Sequence, residues 1–186
     1  MRRSQEILDA SADLFLERGF HNVRLEDIGA AVGVTGPAIY RYFANKDEIL
    51  TTLFDQAMDH LLLLVVPSSG SDPKASLDAL VVAQVEFALT DRQLVSVYAR
   101  EARSLQDEWR RHVSRRHREH VARWEDALLA CFPQRSEGEL QSAAHACIGM
   151  TLSVAQWPQE VRQTPHVREL LIALVQGAIA ALDEAP

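Results

Sequence analysis

The stretch Leu25–Phe43, LEDIGAAVGVTGPAIYRYF, gathers side chains whose types and spacing suit reading the edges of base pairs. As two short helices joined by a tight turn, it puts Leu25, Ile28 and Val32 on one inward face, Gly33 at the break and Val34 in the corner. Thr35 then stands as an N-cap. Pro37 falls in the first turn of the second helix, where its missing N–H costs nothing, and Ile39 and Phe43 point inward. The outward face carries Thr35, Gly36, Ala38, Tyr40, Arg41 and Tyr42, which are donors, aromatic rings and small groups of the kind that fit a major groove. A helical hairpin in an ordinary bundle would show the same turn and is the plain alternative.

A second concentration of chemistry lies between Arg100 and Arg123, where eight arginines stand against four acids, with His112, His117 and His120 interleaved and Trp109 and Trp124 near either end. A solvated helix face explains such a run. Guanidinium forks at a pocket mouth explain it too: Arg100, Arg103 and Arg118 would hold the anionic end of a ligand, with its apolar tail among Phe87, Tyr98, Trp124 and Met150. His117 and His120 share a helical face and His145 precedes Cys147 by two residues, yet no familiar four-ligand spacing assembles, so neither metal nor cofactor is expected. There is no Gly-rich phosphate loop, G-x-S-x-G, paired-Cys motif or H-E-x-x-H, which sets an enzyme behind a binding protein as the expected class.

These residues need helices to position them, and the pattern supplies helices throughout. Arg3 to Arg18 has an apolar stripe of Ile7, Leu8, Ala12, Leu14 and Phe15, closed by Gly19. Asn45-Lys46-Asp47-Glu48 is a capping-box arrangement opening a helix from Asp47 to Val66, and SSGSDP follows Pro67 as a linker. Further helices are expected near Lys74 to Leu89, Asp91 to Ser104, Gln106 to Cys131, Ser136 to Gln156 and Pro165 to Asp183. No sustained β-alternation survives, and the reading is an all-α protein of about nine helices. In the last two, Ala143, Ala144, Ala146, Gly149, Ser153 and Ala155 are small, while Leu171, Leu174, Val175, Ala178 and Ile179 form an apolar stripe. A self-association seam through Ala146, Gly149, Ser153, Leu171, Leu174, Val175 and Ala178 is expected, with ordinary core helices as the alternative.

The order of these pieces resembles one known family. A helix, then Gly19-Phe20, D-I-G-A-A-V-G-V at Asp27 to Val34, and A-I-Y-R-Y-F-A-N-K-D-E-I-L at Ala38 to Leu50 are similar to the amino-terminal domain of TetR/AcrR-family transcriptional regulators. The resemblance covers about the first third of the chain in detail. It implies a three-helix helix-turn-helix domain over residues 1–47, with Arg24, Thr35, Gly36, Pro37, Ala38, Tyr40, Arg41, Tyr42 and Lys46 toward double-stranded DNA. It also implies a divergent helical domain over residues 48–186 that binds a small-molecule inducer and forms a homodimer. The expected function is a repressor released by inducer from a palindromic operator. Two positions depart from the family pattern. Arg24 replaces the usual capping Thr or Ser, losing a cap and gaining a phosphate-seeking cation, and Gly36-Pro37 stands where many members place a cation. REARSLQDEWRRHVSRRHREH also loosely resembles a segment in regulators of lipid and steroid catabolism, whose inducers are acyl-CoA thioesters. An efflux-pump regulator with a hydrophobic or cationic inducer is the alternative within the family; outside it stand a helical enzyme or an interaction module.

The 186 residues are 47% hydrophobic, enough for a substantial core, and carry a net charge of −7. Residues 1–47 hold six cations against seven acids, so DNA affinity is expected to rest on local placement and dimer avidity rather than bulk charge. Cys131 and Cys147 sit in apolar helical sequence and read as buried free thiols. The chain opens on a polar helix, and its longest apolar run, Leu61 to Val66, is far short of the ~20 residues a span needs. A cytoplasmic, nucleoid-associated protein with no membrane partner is expected.

Overall fold

The apolar spacing of ILDASADLF does form a helix: α1 (Arg2–Arg18) buries Ile7, Leu8, Ala12, Leu14 and Phe15. It stops at Gly19, whose φ of +81° is open to glycine and strained for other residues. The computed structural model describes residues 2–64, 72–101 and 105–184. Within them follow a 3₁₀ turn (Phe20–Asn22), α2 (Leu25–Ala31), α3 (Gly36–Ile39), α4 (Lys46–Leu64), α5 (Pro73–Thr90), α6 (Arg92–Glu101) and α7 (Asp107–Cys131). Then come α8 (Glu137–Leu152), a 3₁₀ turn (Ser153–Gln156), α9 (Gln159–Arg162) and α10 (Val167–Glu184). The fold is all-α, with ten α-helices and no strand among the described residues. The short α9 is the helix that pattern reading passed over, because Trp157-Pro158 reads as a break and Pro158 instead serves as its N-cap. The expected helix end at Val66, and Ser68 to Ser71 of the linker, lie outside the described residues.

The helix starts have local causes. The Asn45 side chain accepts from Glu48 N at 2.8 Å, and the Glu48 carboxylate reaches back to Ala44 N, which opens α4 as its capping sequence suggests. Ser136 and Glu139 make the reciprocal box at α8: Glu139 N donates to Ser136 Oγ (3.4 Å) and Ser136 N to Glu139 Oε2 (2.8 Å). The Ser136 hydroxyl and N–H, followed by Arg135, hold the Glu139 carboxyl below its ordinary value.

The chain forms two compact units. The first comprises Met1–Met58 and Gln93–Arg116. Its core joins Ile7, Phe15, Ile28, Ile39, Ile49 and Leu50 to Val97, Leu105 and Val113. The boundary expected at residues 47 and 48 falls inside this unit, where the buried Asp47 carboxylate accepts from both Gln106 N and Gln106 Nε2 at 3.2 Å. The second unit comprises Asp59–Arg92 and His117–Pro186. Trp124 and Leu128 of α7 pack there with Leu77, Leu80 and Val81 of α5, Ala144 and Ile148 of α8, and Val175 and Ile179 of α10. Gln176 donates to Asp78 at 2.7 Å and Arg168 pairs with Glu86, which ties α10 to α5 around that core.

Candidate functional site

The helix-turn-helix is built on a close backbone approach. Val34 N donates to Gly29 O at 2.8 Å, and a Cβ on Gly29 would lie 2.8 Å from Val34 O and 3.1 Å from Gly36 N. Only glycine lets α2 and α3 come this near. Gly33 turns the corner at φ +70°, in the left-handed region. Arg24 occupies the N-cap of α2, but a guanidinium accepts no hydrogen bond, so only half of a capping box survives: Arg24 N donates to Asp27 Oδ2 at 2.8 Å. Its side chain is exposed, as the loss of the cap implies.

The recognition segment begins at the expected place and differs in detail. Thr35 is the N-cap of α3 by backbone geometry, while its hydroxyl makes no capping bond. The helix is short, yet Tyr42 N and Phe43 N both donate to Ile39 O, so the helical sense runs on to Phe43. Ile39 and Phe43 are buried as expected. Outside stand Thr35, Pro37, Arg41, Tyr40 at 60% exposure and Tyr42 at 45%. Ala38 is half-buried.

Two residues placed on this face from sequence are not there. Gly36 is buried beneath the Glu26 side chain, because the approach at Gly29 draws the start of α3 against α2. Lys46 turns inward: its ammonium donates to Phe20 O (2.5 Å) and Val23 O (2.8 Å) and stands 4.3 Å from the Phe20 ring centroid. These carbonyls, one at the start of the 3₁₀ turn and one just past its end, accept from the ammonium and hold it inward, away from any phosphate at the surface. Sequence reading missed the reason for Gly29, although the glycine stood in the motif.

On α8 the exposed line is Gln141, Ser142, His145, Ala146 and Gly149, with Ser153 half-buried beyond it. On α10 it is Leu170 (55% exposed), Leu174 (50%), Gly177, Ala178 and Ala181. Ala146, Gly149, Leu174 and Ala178 thus lie on open faces. Leu171 and Val175 do not. Both are buried in the core, since one residue of helix rotates a side chain by about 100° and turns the stripe inward. Leu170, Gly177 and Ala181 complete the exposed α10 face and were not singled out from sequence.

The ligand residues expected from sequence are divided between the units. Phe87 and Trp124 are buried, Met150 half-buried and Arg118 exposed, all in the second unit. Arg100 belongs to the first, where Nη1 donates to Leu16 O at 3.2 Å. Arg103 and the Tyr98 side chain lie outside the described residues. A cavity of about 590 Å³ opens among Leu77, Asp78, Cys131, Phe132 and Ile179, and its lining includes none of Phe87, Arg100, Arg118, Trp124 and Met150. Cys147 is buried, which pushes its thiol up to about 11. Cys131 is only half-buried, against expectation, because it borders this cavity.

Burial, then the neighbouring His117 and Arg123, lower His120 to about 4. Burial, His145 and Arg118 lower His117 as well. No three metal-ligating side chains converge among the described residues, and no described helix is long and apolar enough to cross a membrane.

Comparison with known proteins agrees with this architecture. Residues 7–53 match the family described as "Bacterial regulatory proteins, tetR family", and residues 70–160 match "Tetracyclin repressor-like, C-terminal domain". The transcriptional repressor KstR2 of Rhodococcus jostii is 30% identical over 105 residues, 55% of this chain and 52% of that protein. KstR2 of Mycobacterium tuberculosis is 27% identical over 129 residues, 68% of this chain and 64% of its own. The chain therefore spans between half and two thirds of the length of these relatives. The solved ketosteroid transcriptional regulator KstR2 of M. tuberculosis superposes with a TM-score of 0.80 at 21% identity, covering 96% of this chain and 94% of that one. AibR in complex with isovaleryl coenzyme A and operator DNA gives 0.79 at 20%, covering 96% of each chain. At such identities the structures speak for the fold alone. The two matched segments take in both the helix-turn-helix and the helical region beyond it, and the chain belongs to the TetR family of bacterial regulatory proteins.

Proposed function

We propose that the protein is a ligand-responsive, DNA-binding transcriptional repressor that acts in the cytoplasm as a homodimer. The observation that carries this reading is the exposed set Arg24, Thr35, Pro37, Tyr40, Arg41 and Tyr42 on a tightly turned helix-turn-helix in a TetR-family chain. Large aromatic side chains held in solvent have no packing role, and beside two exposed guanidinium groups they suit base edges and phosphates. The open, small-residue faces of α8 and α10, flanked by Leu170 and Leu174, support a second copy as the partner. Two recognition segments about 34 Å apart would then enter successive major grooves of a palindromic operator.

Release follows from ligand binding in the helical domain (residues 48–186), and by linkage the operator weakens ligand binding by the same factor. The helix α4 begins at the helix-turn-helix and ends in the second unit, which makes it the natural element to carry the change. An acyl-CoA or another amphipathic acid is the inducer class we favour. It is supported by the isovaleryl coenzyme A bound to AibR, a protein of the same fold, and by the exposed arginines of α7.

The direct test is retardation of a DNA fragment from upstream of the protein's own gene at two salt concentrations. Tyr40→Ala and Arg41→Ala should each weaken binding by about 1–3 kcal/mol with unchanged helicity. Unchanged binding by both variants would remove the DNA-reading assignment.

A further inference from the structure

Three polar side chains in the interior of the second unit have no partner for their buried atoms among the described residues. These are both amide atoms of Gln84, Nε2 of His120 and Nε1 of Trp124. Their residues are 1%, 4% and 0% exposed. Native interiors rarely leave such groups unpaired, and three in one unit is a concentration that asks for a reason.

The helices bring them together. On α5, Gln84 continues the buried line of Leu77, Leu80 and Val81; on α7, His120 and Trp124 share a face with Val121 and Leu128. Leu77 and Asp78 border the same cavity as Ala130, Cys131 and Phe132, so the start of α5 lies beside the end of α7. From that shared end both helices extend into one core, so we read them as running in opposite senses. Seven residues forward from Leu77 reach Gln84, and seven back from Cys131 reach Trp124; each path rises about 10 Å. Gln84 and Trp124 are therefore about level, with His120 one turn further on.

We infer that this place binds the uncharged, carbonyl-bearing end of an apolar ligand, with Trp124 Nε1–H and the Gln84 amide donating to the carbonyl oxygen. The inference rests on the reading of the chain as a ligand-responsive regulator and names the chemistry of its ligand's buried end. An indole N–H can only donate, which requires an acceptor on the ligand. The remaining buried polar side chain among the described residues of the unit, Thr151, already donates to Cys147 O and Ile148 O. No charged side chain is buried among the described residues of the unit, so a carboxylate there would lack a countercharge and so would an ammonium. His120, held near 4 by burial, is neutral at physiological pH and adds no charge. A free ketone or ester and the acyl end of a thioester share this chemistry.

The test is calorimetric titration of the full chain with hexyl methyl ketone, octanoyl-coenzyme A and octanoate. The ketone, the thioester or both should bind, with octanoate at least about tenfold weaker than the better of them. Tighter binding of the ketone would assign a neutral carbonyl compound, and of the thioester an acyl-CoA. Gln84→Met and Trp124→Phe should each lower affinity for the better carbonyl probe about three- to tenfold. The ligand-free Gln84→Met variant should melt no lower than the parent, since an unpaired amide has been removed. Should Trp124→Phe fail to fold, Gln84→Met decides alone. Absence of binding by both carbonyl probes, octanoate binding as tightly as the better of them, or parental affinity in the variants would overturn the inference. DNA retardation by the parent without ligand is a separate measurement, so failure here and failure of the regulator reading are told apart.

Discussion

Gly29→Ala should distort the helix-turn-helix while leaving the rest of the chain folded. The added methyl would stand 2.8 Å from Val34 O and 3.1 Å from both Gly36 N and Thr35 C, all backbone atoms of the turn. No flexible side chain can yield, so the turn itself must open by roughly half an ångström to restore ordinary contact. That movement strains the Val34 N to Gly29 O hydrogen bond, now 2.8 Å long. Overpacking of this kind costs about 1–3 kcal/mol, and alanine's helix preference inside α2 returns up to about 1. The net expectation is a loss of about 1–2 kcal/mol in urea unfolding. Operator retardation should weaken by more than tenfold, because α3 moves with the turn. Gly138→Ala is the matched control: nothing lies within 4 Å of its added methyl, and the variant should be neutral or slightly more stable. Parental stability and parental DNA affinity in Gly29→Ala would refute the close-approach argument.

Lys46→Met keeps the aliphatic stem but removes the donor to Phe20 O and Val23 O, so it should cost about 1–3 kcal/mol in chemical denaturation while leaving the salt dependence of DNA binding unchanged. A salt slope reduced by about one with no loss of stability would return Lys46 to the phosphate-contacting role expected from sequence. Gly149→Leu, on the open face of α8, should shift light scattering from dimer to monomer without unfolding the chain; a persistent dimer would place the seam elsewhere. His120 is lowered by burial from 6.5 to about 4, so the unfolded chain binds its proton first as pH falls. Its contribution is whole above about 6.5 and is lost between there and about 4, an effect on the order of 3 kcal/mol that His120→Phe should flatten in urea titrations across that window. An unchanged pH slope in that variant would show that His120 does not titrate differently in the folded and unfolded chain.

Much of this molecule is written in short-range pattern. The stripe from Ile7 to Phe15, the Asn45 and Glu48 cap, the inward Ile28, Ile39 and Phe43, and the exposed Tyr40, Arg41 and Tyr42 are all legible, because helical period and capping depend on residues three or four positions apart. The boundaries of α5, α7 and α10 fall within two residues of those the pattern suggests. What tertiary structure decided is which of two neighbouring positions is covered. Leu170 and Leu171 are the same residue type, yet one is half exposed and the other sealed, because other helices of the same unit cover one side of α10 only. Lys46 is a cation at a helix start, and only the fold brings two carbonyls, from residues more than twenty positions earlier, within its reach. Gln84 is one polar residue in an apolar run until α7 brings Trp124 into the same core and the buried polar atoms of both stay unpaired among the described residues. Period and caps are encoded locally; coverage and pairing arise from contacts far apart in the chain, and that is where this sequence, read by itself, stops.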